Sequence, residues 1–360
     1  MKAIIPTGGR GTRMRPLTFS TNKHFIPVAN KPLIFYPVET IADVGIKEIG
    51  ITYNPGYLEE VKSMLGNGSR WGLKFTYVLQ EDPKGLANIF QVAEEYLNGE
   101  SFVMHLGDNI FVDGIRDLVA HFEKSKPDGL VAMVHHSENN RLGVPYFDSD
   151  GHLIKYVEKP ENPPHDFAIP GIYFFSSVVF RCFKGEDAIK PSDRGEYEIS
   201  APFQWLIDHN LKVDVLEYKG KWLDPGKADD WLFANEYLLK NNLQEKIESV
   251  IDKSSEIAGK ISVGKHSEIR NSKIRGPVII GDKVIIENSE VGPFTSVGDG
   301  CEIINSKVRS SVLMNGVRVS GVLEHPMEDS LIGTDSEIVG SNGKTAKTTL
   351  FVGEKCKIQI

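Results

Sequence analysis

The sequence predicts an α/β fold with a mostly parallel, Rossmann-like sheet, followed by a left-handed β-helix. Two observations predict these parts. Over about the first 230 residues, short apolar runs alternate with helical patterns, as in a parallel sheet with helices on both faces. In the last third, aliphatic residues recur at a fixed spacing of 17 positions, which is typical of stacked β-helix coils.

The predicted strands are short apolar runs that read as fully buried, namely KAIIP, IGITY, FTYVLQ, FVMHLGD and LVAMVHH. Between them lie patterns with apolar residues three and four positions apart, namely LEEVKSML, LANIFQVAEEYL and IRDLVAHFEK. Ligands bind such sheets beyond the carboxyl ends of the strands. We therefore expect functional residues in the segments that follow the strands.

The C-terminal repeat is carried by Val-Gly or Ile-Gly pairs, by isoleucines and by Asn-Ser pairs. The spacing of 17 links Ile269, Ile286 and Ile303. An ordinary β-sandwich is the alternative, but three residue classes that keep one register favour a β-helix with one inward aliphatic residue per side. The sequence therefore predicts domains over residues 1–240 and 241–360.

Composition excludes several classes of function. The chain has 360 residues, of which 40% are hydrophobic and 25% charged, and a formal net charge of −8. An acidic balance argues against a nucleic-acid or anionic-membrane partner, and no segment approaches the roughly 20 apolar residues of a membrane span. Three widely spaced cysteines without a CxxC motif are typical of a reduced compartment. We expect a cytoplasmic protein.

The segment GGRGTRMRPLTFSTNK, residues 8–23, concentrates positive charge in a chain that is acidic as a whole. It holds three glycines, three arginines and one lysine, and no Asp or Glu precedes Glu39. The connection from the first strand to the next helix is about 25 residues, much longer than usual. A basic surface turn is the alternative. Length, charge and position favour a loop that binds a polyphosphate through backbone N–H groups and basic side chains.

A family resemblance rests on motifs that run in order along the chain. They are GGRGTRMRPLTFSTNKHFIPVANKPLIFYP, GNGSRWG, LQEDPKGLANIF, HLGDN, RLGVPYFD, YVEKP, IPGIYFF, RGEYEIS, KWLDPGK, DSLIG and VGEKCKIQI. Together they resemble the sugar-1-phosphate nucleotidylyltransferases, and most closely the glucose-1-phosphate thymidylyltransferase family in its long form. The resemblance implies a nucleotidyltransferase catalytic domain over residues 1–240. It also implies a β-helix domain that serves assembly, so we expect a homo-oligomer.

The resemblance assigns a set of residues to the nucleotide. The residues implied to bind it are Gly8, Gly9, Gly11, Thr12, Arg13, Gln80, Gly85, Asp108 and Asn109. Arg13 would pair with the β- and γ-phosphates, and Lys23 would neutralise charge around the α-phosphate. Gln80 would offer its amide to the N3 and O4 edge of a pyrimidine.

The resemblance also implies a metal site and a sugar-phosphate site. Asp108 and Asp224 would bind Mg²⁺, whose preference for oxygen ligands suits two carboxylates. Taken alone, each aspartate could equally be a helix cap or turn residue. The sugar phosphate would be bound by Gly143, Glu158, Lys159, Ile169 and Tyr173. For Glu158 and Lys159 the alternative is a solvated pair at a strand end.

The implied reaction is transfer of a nucleotidyl group from a nucleoside triphosphate, foremost dTTP, to a hexose 1-phosphate, foremost glucose 1-phosphate. The implied catalytic residues are Arg13, Lys23 and Lys159. A uridylyltransferase or another nucleotide-sugar pyrophosphorylase is an alternative, because the base edge that Gln80 would contact is shared by thymine and uracil. A non-catalytic regulatory paralogue is a further alternative. The presence of all the implied cationic and metal-binding residues argues against it.

Overall fold

The computed structural model describes residues 1–9, 11–324, 326–340 and 348–360. These residues form two compact units. The first comprises residues 1–9 and 34–223, and the second comprises the described residues of 11–33 and 224–360. The basic loop that follows the first strand therefore belongs to the same unit as the C-terminal third. The predicted boundary at residue 240 stays a prediction.

Six α-helices occur in the described residues, and none is long and apolar enough to span a membrane. They are α1 (Phe35–Asp43), α2 (Leu58–Leu65), α3 (Asn88–Leu97), α4 (Arg116–Ser125), α5 (Ser200–Asp208) and α6 (Ala228–Asn242). Short 3-10 helices lie at Thr12–Met14, Leu17–Phe19, Lys23–Phe25, Ser69–Trp71, Asn139–Arg141 and Ser177–Phe183.

Strands occur in both units. The strands before α6 are β1 (Lys2–Pro6), β2 (Pro27–Val28), β3 (Lys31–Pro32), β4 (Glu48–Tyr53), β5 (Lys74–Leu79), β6 (Phe102–His105), β7 (Ile110–Phe111), β8 (Gly129–His135), β9 (Gly143–Phe147), β10 (Leu153–Glu158), β11 (Phe167–Ala168), β12 (Ile172–Phe175), β13 (Val213–Glu217) and β14 (Trp222–Leu223). The strands after α6 are β15 (Lys246–Ile247), β16 (Val250–Ile251), β17 (Glu256–Ala258), β18 (Ile261–Val263), β19 (Glu268–Arg270), β20 (Lys273–Arg275), β21 (Val278–Ile280), β22 (Ile285–Glu287), β23 (Glu290–Val291), β24 (Thr295–Val297), β25 (Glu302–Ile304), β26 (Lys307–Arg309), β27 (Val312–Leu313), β28 (Arg318–Ser320), β29 (Met327–Glu328), β30 (Leu331–Ile332), β31 (Glu337–Val339), β32 (Phe351–Val352) and β33 (Lys357–Gln359).

The first unit is built on a mixed, mostly parallel sheet, which confirms the predicted α/β class. Its strand order is β11-β8-β12-β6-β1-β4-β5, with β13 paired to β8. Strands β6, β1, β4 and β5 run parallel, and β12 runs antiparallel between β6 and β8. Residues 3–6 of β1 are buried, because both faces of the sheet are covered. The carboxyl ends of β1, β4 and β5 therefore meet at one edge, where Gly8, Asn54 and Gln80 follow them.

The C-terminal part of the second unit is a left-handed β-helix, as predicted. Its strands form three parallel sheets, and Ile269, Ile286 and Ile303 pair directly across neighbouring strands. The Asn-Ser pairs mark the corners. Asn271, Asn288 and Asn305 have φ values of 43°, 49° and 48°, a left-handed conformation that asparagine tolerates well. The serine that follows each asparagine is buried, and the Ser272 hydroxyl accepts a hydrogen bond from the Ser289 N–H at 3.1 Å.

The register of the β-helix can be tested at Ile286, which is fully buried. Ile286→Asp would bury an unpaired carboxylate, and we expect it to destabilise the protein by more than about 4 kcal/mol, or to prevent soluble expression. The matched control is Ile285→Asp, because Ile285 lies on the same strand and is only partly buried. Thermal unfolding of both variants measures the difference. Equal melting temperatures for the two variants would contradict the register.

Candidate active site

The loop from residue 11 to 33 is folded by contacts among its own residues. Gly11 has a φ of +53°, and a Cβ there would lie 2.9 Å from Thr18 Cγ2 and 3.2 Å from Lys23 Cβ. The Thr18 hydroxyl donates a hydrogen bond to the Gly11 carbonyl at 2.6 Å. The structure thus brings Gly11 and Lys23 together, and a larger residue than glycine would separate them.

Lys23 begins a short helix whose first turn is capped by Asn22. Asn22 Oδ1 accepts the His24 backbone N–H at 3.0 Å and lies 2.6 Å from His24 Nδ1. His24 is buried, so its ring serves the packing of the loop. The cap fixes the backbone conformation at Lys23.

Arg13 lies beside the turn that contains Asp224, and both belong to the second unit. A Cβ on Gly226 would lie 3.6 Å from Arg13 Nη1 and 3.7 Å from Asp230 Oδ2. The Gly226 N–H donates to the Asp224 carbonyl at 2.7 Å, which closes the turn. Arg13 and Asp224 are 211 positions apart in the sequence. The fold places Arg13 beside the turn that contains Asp224.

Two carboxamides meet beside Gly8 in the first unit. A Cβ on Gly8 would lie 3.1 Å from Asn54 Oδ1 and 3.5 Å from Gln80 Oε1. Asn54 Oδ1 is buried and has no hydrogen-bond partner among the described residues, which is the state of an acceptor that awaits a donor. Sequence reasoning missed Asn54. Its place directly after the strand IGITY, at the carboxyl end of a parallel strand, is the signal that could have found it.

The Gln80 carboxamide is held by a second layer of amides. Gln80 Nε2 donates to Asn88 Oδ1 at 3.1 Å, and Asn88 Nδ2 donates to Gln91 Oε1 at 3.0 Å. Gln80 and Asn88 are both buried. One amide hydrogen of Gln80 is therefore used, while its Oε1 lies on the side of Gly8.

Gly85 lies against the backbone of the segment RGEYEIS. It has a φ of +99°, and a Cβ there would lie 2.5 Å from the Tyr197 carbonyl oxygen. The Tyr197 N–H donates to the Lys84 carbonyl at 2.7 Å, and the Ala87 N–H donates to the Tyr197 carbonyl at 3.0 Å. Glycine is required at position 85 because the Tyr197 backbone lies directly against it. The two hydrogen bonds join the segment after β5 to the RGEYEIS segment.

Asp108 and Asn109 form a connected pair after β6. Asn109 Nδ2 donates to Asp108 Oδ1 at 2.9 Å. Asn109 Oδ1 accepts the Gly171 N–H at 3.1 Å and the Trp222 indole N–H at 2.7 Å. Asn109 is 3% exposed, so its carboxamide is fixed on two sides and orients the Asp108 carboxylate. These contacts assign Asn109 a positioning role, and its predicted contact with the nucleotide stays a prediction.

The residues predicted for the sugar pocket converge around Tyr156. Gly143 pairs with Ile169 and lies opposite Glu158 in the β9–β10 pair. A Cβ on Gly143 would collide with the Tyr156 ring. Tyr156 and Tyr173 are both buried. The structure therefore brings Gly143, Glu158, Ile169 and Tyr173 together.

The Glu158 carboxylate stands in an unfavourable environment. Its Oε2 is buried without a hydrogen-bond partner in the described part of the chain. Burial raises the pKa of Glu158 above its ordinary value, and Glu198 adds to this, while Lys159 and Arg194 oppose it. Arg194 is itself paired with Glu198 at 2.7 Å. Sequence reasoning did not assign Arg194 and Glu198, although both lie in the quoted RGEYEIS motif.

Comparisons with known proteins identify the family of this chain. A family model described as nucleotidyl transferase matches residues 2–241, which defines the class. Glucose-1-phosphate thymidylyltransferases of Streptomyces antibioticus and Streptomyces griseus are 37% and 35% identical to this chain, over 100% of it and 99% of each relative. A crystal structure from Bacillus anthracis, classed as a glucose-1-phosphate thymidylyltransferase and solved with a sucrose, matches 69% of this chain and 98% of its own. It does so with a TM-score of 0.62 and 33% identity. The chain therefore belongs to the glucose-1-phosphate thymidylyltransferase family.

The environment of Glu158 predicts a pH-dependent cost to stability. A carboxyl whose pKa is raised in the folded state stabilises the protein fully below its ordinary pKa, and this contribution is lost as the pH rises through the raised value. Glu158→Gln removes the ionisation. We therefore expect the free energy of unfolding of Glu158→Gln, relative to that of the wild type, to be higher at about pH 7.5 than at about pH 4.

Denaturant unfolding at the two pH values measures this change. The matched control is Glu161→Gln, an exposed residue shortly after Glu158, whose effect on stability should be the same at both pH values. A Glu158→Gln variant whose stability relative to the wild type does not rise with pH would contradict the raised pKa.

Proposed function

We propose that the protein transfers a nucleotidyl group from dTTP to glucose 1-phosphate, with release of pyrophosphate. The observation that carries this proposal is the basic loop of the second unit, in which Gly11 packs against Lys23 and Arg13 lies beside the Asp224 turn. Its cations and backbone N–H groups suit a polyphosphate. The named activity of full-length relatives supports the choice of substrates.

In the proposed reaction an oxygen of the sugar phosphate attacks the α-phosphorus of the triphosphate. The new P–O bond forms as the bond from the α-phosphorus to the bridging oxygen breaks, and pyrophosphate leaves with that electron pair. The attacking phosphate is already an anion, so no general base is required. Charge repulsion between the two substrates dominates the barrier, and Arg13, Lys23 and Lys159 lower it by binding phosphate oxygens.

Magnesium is the metal that the resemblance implies, with Asp108 and Asp224 as the proposed ligands. Asn109 holds the Asp108 carboxylate through a hydrogen bond at 2.9 Å, and carboxylate oxygens suit the preference of Mg²⁺. When bound, Mg²⁺ supplies further positive charge to the phosphate oxygens. Dependence on Mg²⁺, a homo-oligomeric state and a cytoplasmic location stay predictions.

The nucleobase would be recognised through the carboxamides beside Gly8. Gln80 Oε1 is an acceptor suited to the N3–H of thymine or uracil, which cytosine lacks. Asn54 offers a second carboxamide at the same place. Thymine and uracil both present this N3–H edge. A uridylyltransferase with the same mechanism is therefore the second candidate function.

The sugar would be held in the cluster around Tyr156. The half-buried Glu158 carboxylate would accept hydrogen bonds from sugar hydroxyls, which would give its unpaired Oε2 a donor. Gly143 lets the Tyr156 ring pack directly against the backbone, and Ile169 and Tyr173 are the other proposed wall residues. Lys159 would bind the sugar phosphate.

A substrate screen tests the function directly. Four nucleoside triphosphates are each paired with several sugar 1-phosphates, and pyrophosphate release is measured with Mg²⁺ and with a chelator. We expect the highest kcat/KM for dTTP with glucose 1-phosphate, and loss of turnover on chelation. A higher kcat/KM for UTP would favour the second candidate. No release with any pair would refute a nucleotidyltransferase.

The division of roles between the two phosphates can be tested with Arg13→Ala and Lys159→Ala. Loss of one charge-assisted contact costs roughly 1.5–3 kcal/mol, or about tenfold to a hundredfold. We expect Arg13→Ala to raise the nucleotide KM more than the sugar-phosphate KM, and Lys159→Ala to do the reverse. Arg15→Ala and Lys155→Ala are the matched controls. Arg15 and Lys155 are exposed and lie close in sequence to Arg13 and Lys159, respectively. Equal shifts of both constants in each variant would refute the division.

A further inference from the structure

The hairpin formed by β2 and β3 in the phosphate-binding loop is attached to α6 and to the β-helix, all within the second unit. The attachment centres on Asn235 of α6, which is 1% exposed. Asn235 Oδ1 accepts the Ala29 backbone N–H at 2.9 Å and the Ser296 hydroxyl at 2.6 Å. Its Nδ2 donates to the Phe294 carbonyl at 3.2 Å. One carboxamide therefore joins three segments of the chain.

Two further hydrogen bonds run alongside Asn235. The Trp231 indole N–H donates to the Pro27 carbonyl at 2.8 Å, and Asn30 Nδ2 donates to the Val297 carbonyl at 2.6 Å. Each end of the hairpin turn is thus bound to a different element, one to α6 and one to β24.

The hairpin turn is costly without these bonds. Ala29 and Asn30 have φ values of 49° and 57°; asparagine tolerates this left-handed region, but it costs alanine roughly 1–2 kcal/mol. Alanine gains nothing there from its own side chain. The bond from the Ala29 N–H to Asn235 therefore holds a conformation that the loop sequence does not favour by itself.

A second contact lies further along the β-helix. A Cβ on Gly353, directly after β32, would lie 3.2 Å from the Pro16 carbonyl oxygen, and Gly353 is buried. Pro16 lies between Arg13 and Lys23 in the loop. The β-helix thus contacts the loop both at its hairpin and within its basic segment.

We propose that Asn235 is a positioning residue for the nucleotide, through which the β-helix pre-orders the loop that carries Arg13 and Lys23. This inference rests on the proposed function, because it takes the loop as the triphosphate site. A loop that is ordered before binding spares the ligand the entropic cost of ordering it. Loosening the loop should therefore weaken nucleotide binding and leave sugar-phosphate binding unchanged.

The test uses full-length Asn235→Leu and Ser296→Ala. Leucine has a similar size and removes all three hydrogen bonds, while Ser296→Ala removes one and keeps Asn235. The matched control is Ser289→Ala, a buried serine whose hydroxyl bonds only to the β-helix backbone in the described contacts. It loses comparable hydrogen bonds without touching the loop.

Amide hydrogen exchange of the substrate-free proteins is the first readout. We expect exchange over residues 11–33 to accelerate by about tenfold in Asn235→Leu, by less in Ser296→Ala, and not in the control. Steady-state kinetics is the second readout. The nucleotide KM should rise by about tenfold in Asn235→Leu, while the sugar-phosphate KM stays within about twofold.

The two readouts separate the possible failures. Unchanged loop exchange in both variants would overturn the attachment. Accelerated exchange with equal shifts of both KM values would overturn the positioning role. A wild-type protein without nucleotidyl transfer would refute the proposed function, while the exchange measurement would still decide whether Asn235 orders the loop. If Asn235→Leu does not fold, Ser296→Ala carries the same comparison.

Discussion

The candidate site depends on glycines whose backbone packs directly against neighbouring residues, with no space for a Cβ. A Cβ would lie 2.9 Å from Thr18 at Gly11, and 2.5 Å from Tyr197 at Gly85 and from Asn109 at Gly171. Each partner is backbone or a hydrogen-bonded side chain in a packed surrounding, so a methyl group would displace it. These contacts fix where Lys23, the segment after β5 and the Asp108 carboxylate lie.

Periodic parts of the fold were predictable because spacing alone reports which side chains face a core. Helix α2 spans LEEVKSML as predicted, with Val61 and Leu65 buried on one face. The spacing of 17 gave the pairing of Ile269 with Ile286 that the β-helix contains. The proximity of Gly8 and Gln80 was predictable because both follow parallel strands, whose carboxyl ends meet at one sheet edge. Their binding roles stay predictions.

The attachment of the loop to α6 and β24 could not be predicted from the sequence. The Ala29 N–H and Asn235 Oδ1 are separated by 206 positions, and no periodic pattern marks a polar side chain on a helix as the partner of a distant turn. Asn54 and Arg194 were missed for a related reason. Both are single polar residues whose importance lies in a buried orphan atom or in a neighbouring carboxylate, which only tertiary structure reveals.

The two proposed substrate sites are prepared in different physical ways. The sugar site keeps a buried, incompletely paired carboxylate at Glu158, so part of its binding energy would come from relieving an unfavourable state of the free protein. The nucleotide loop has buried apolar residues of its own, such as Leu17 and Ile26, but its hairpin turn at Ala29 and Asn30 is held by hydrogen bonds to α6 and β24. Under the proposed function, substitutions in the first unit would change sugar binding through the charged and polar groups around Glu158. Weakening the β-helix would act on the order of the loop, so a domain without catalytic residues would still control how well the triphosphate is held.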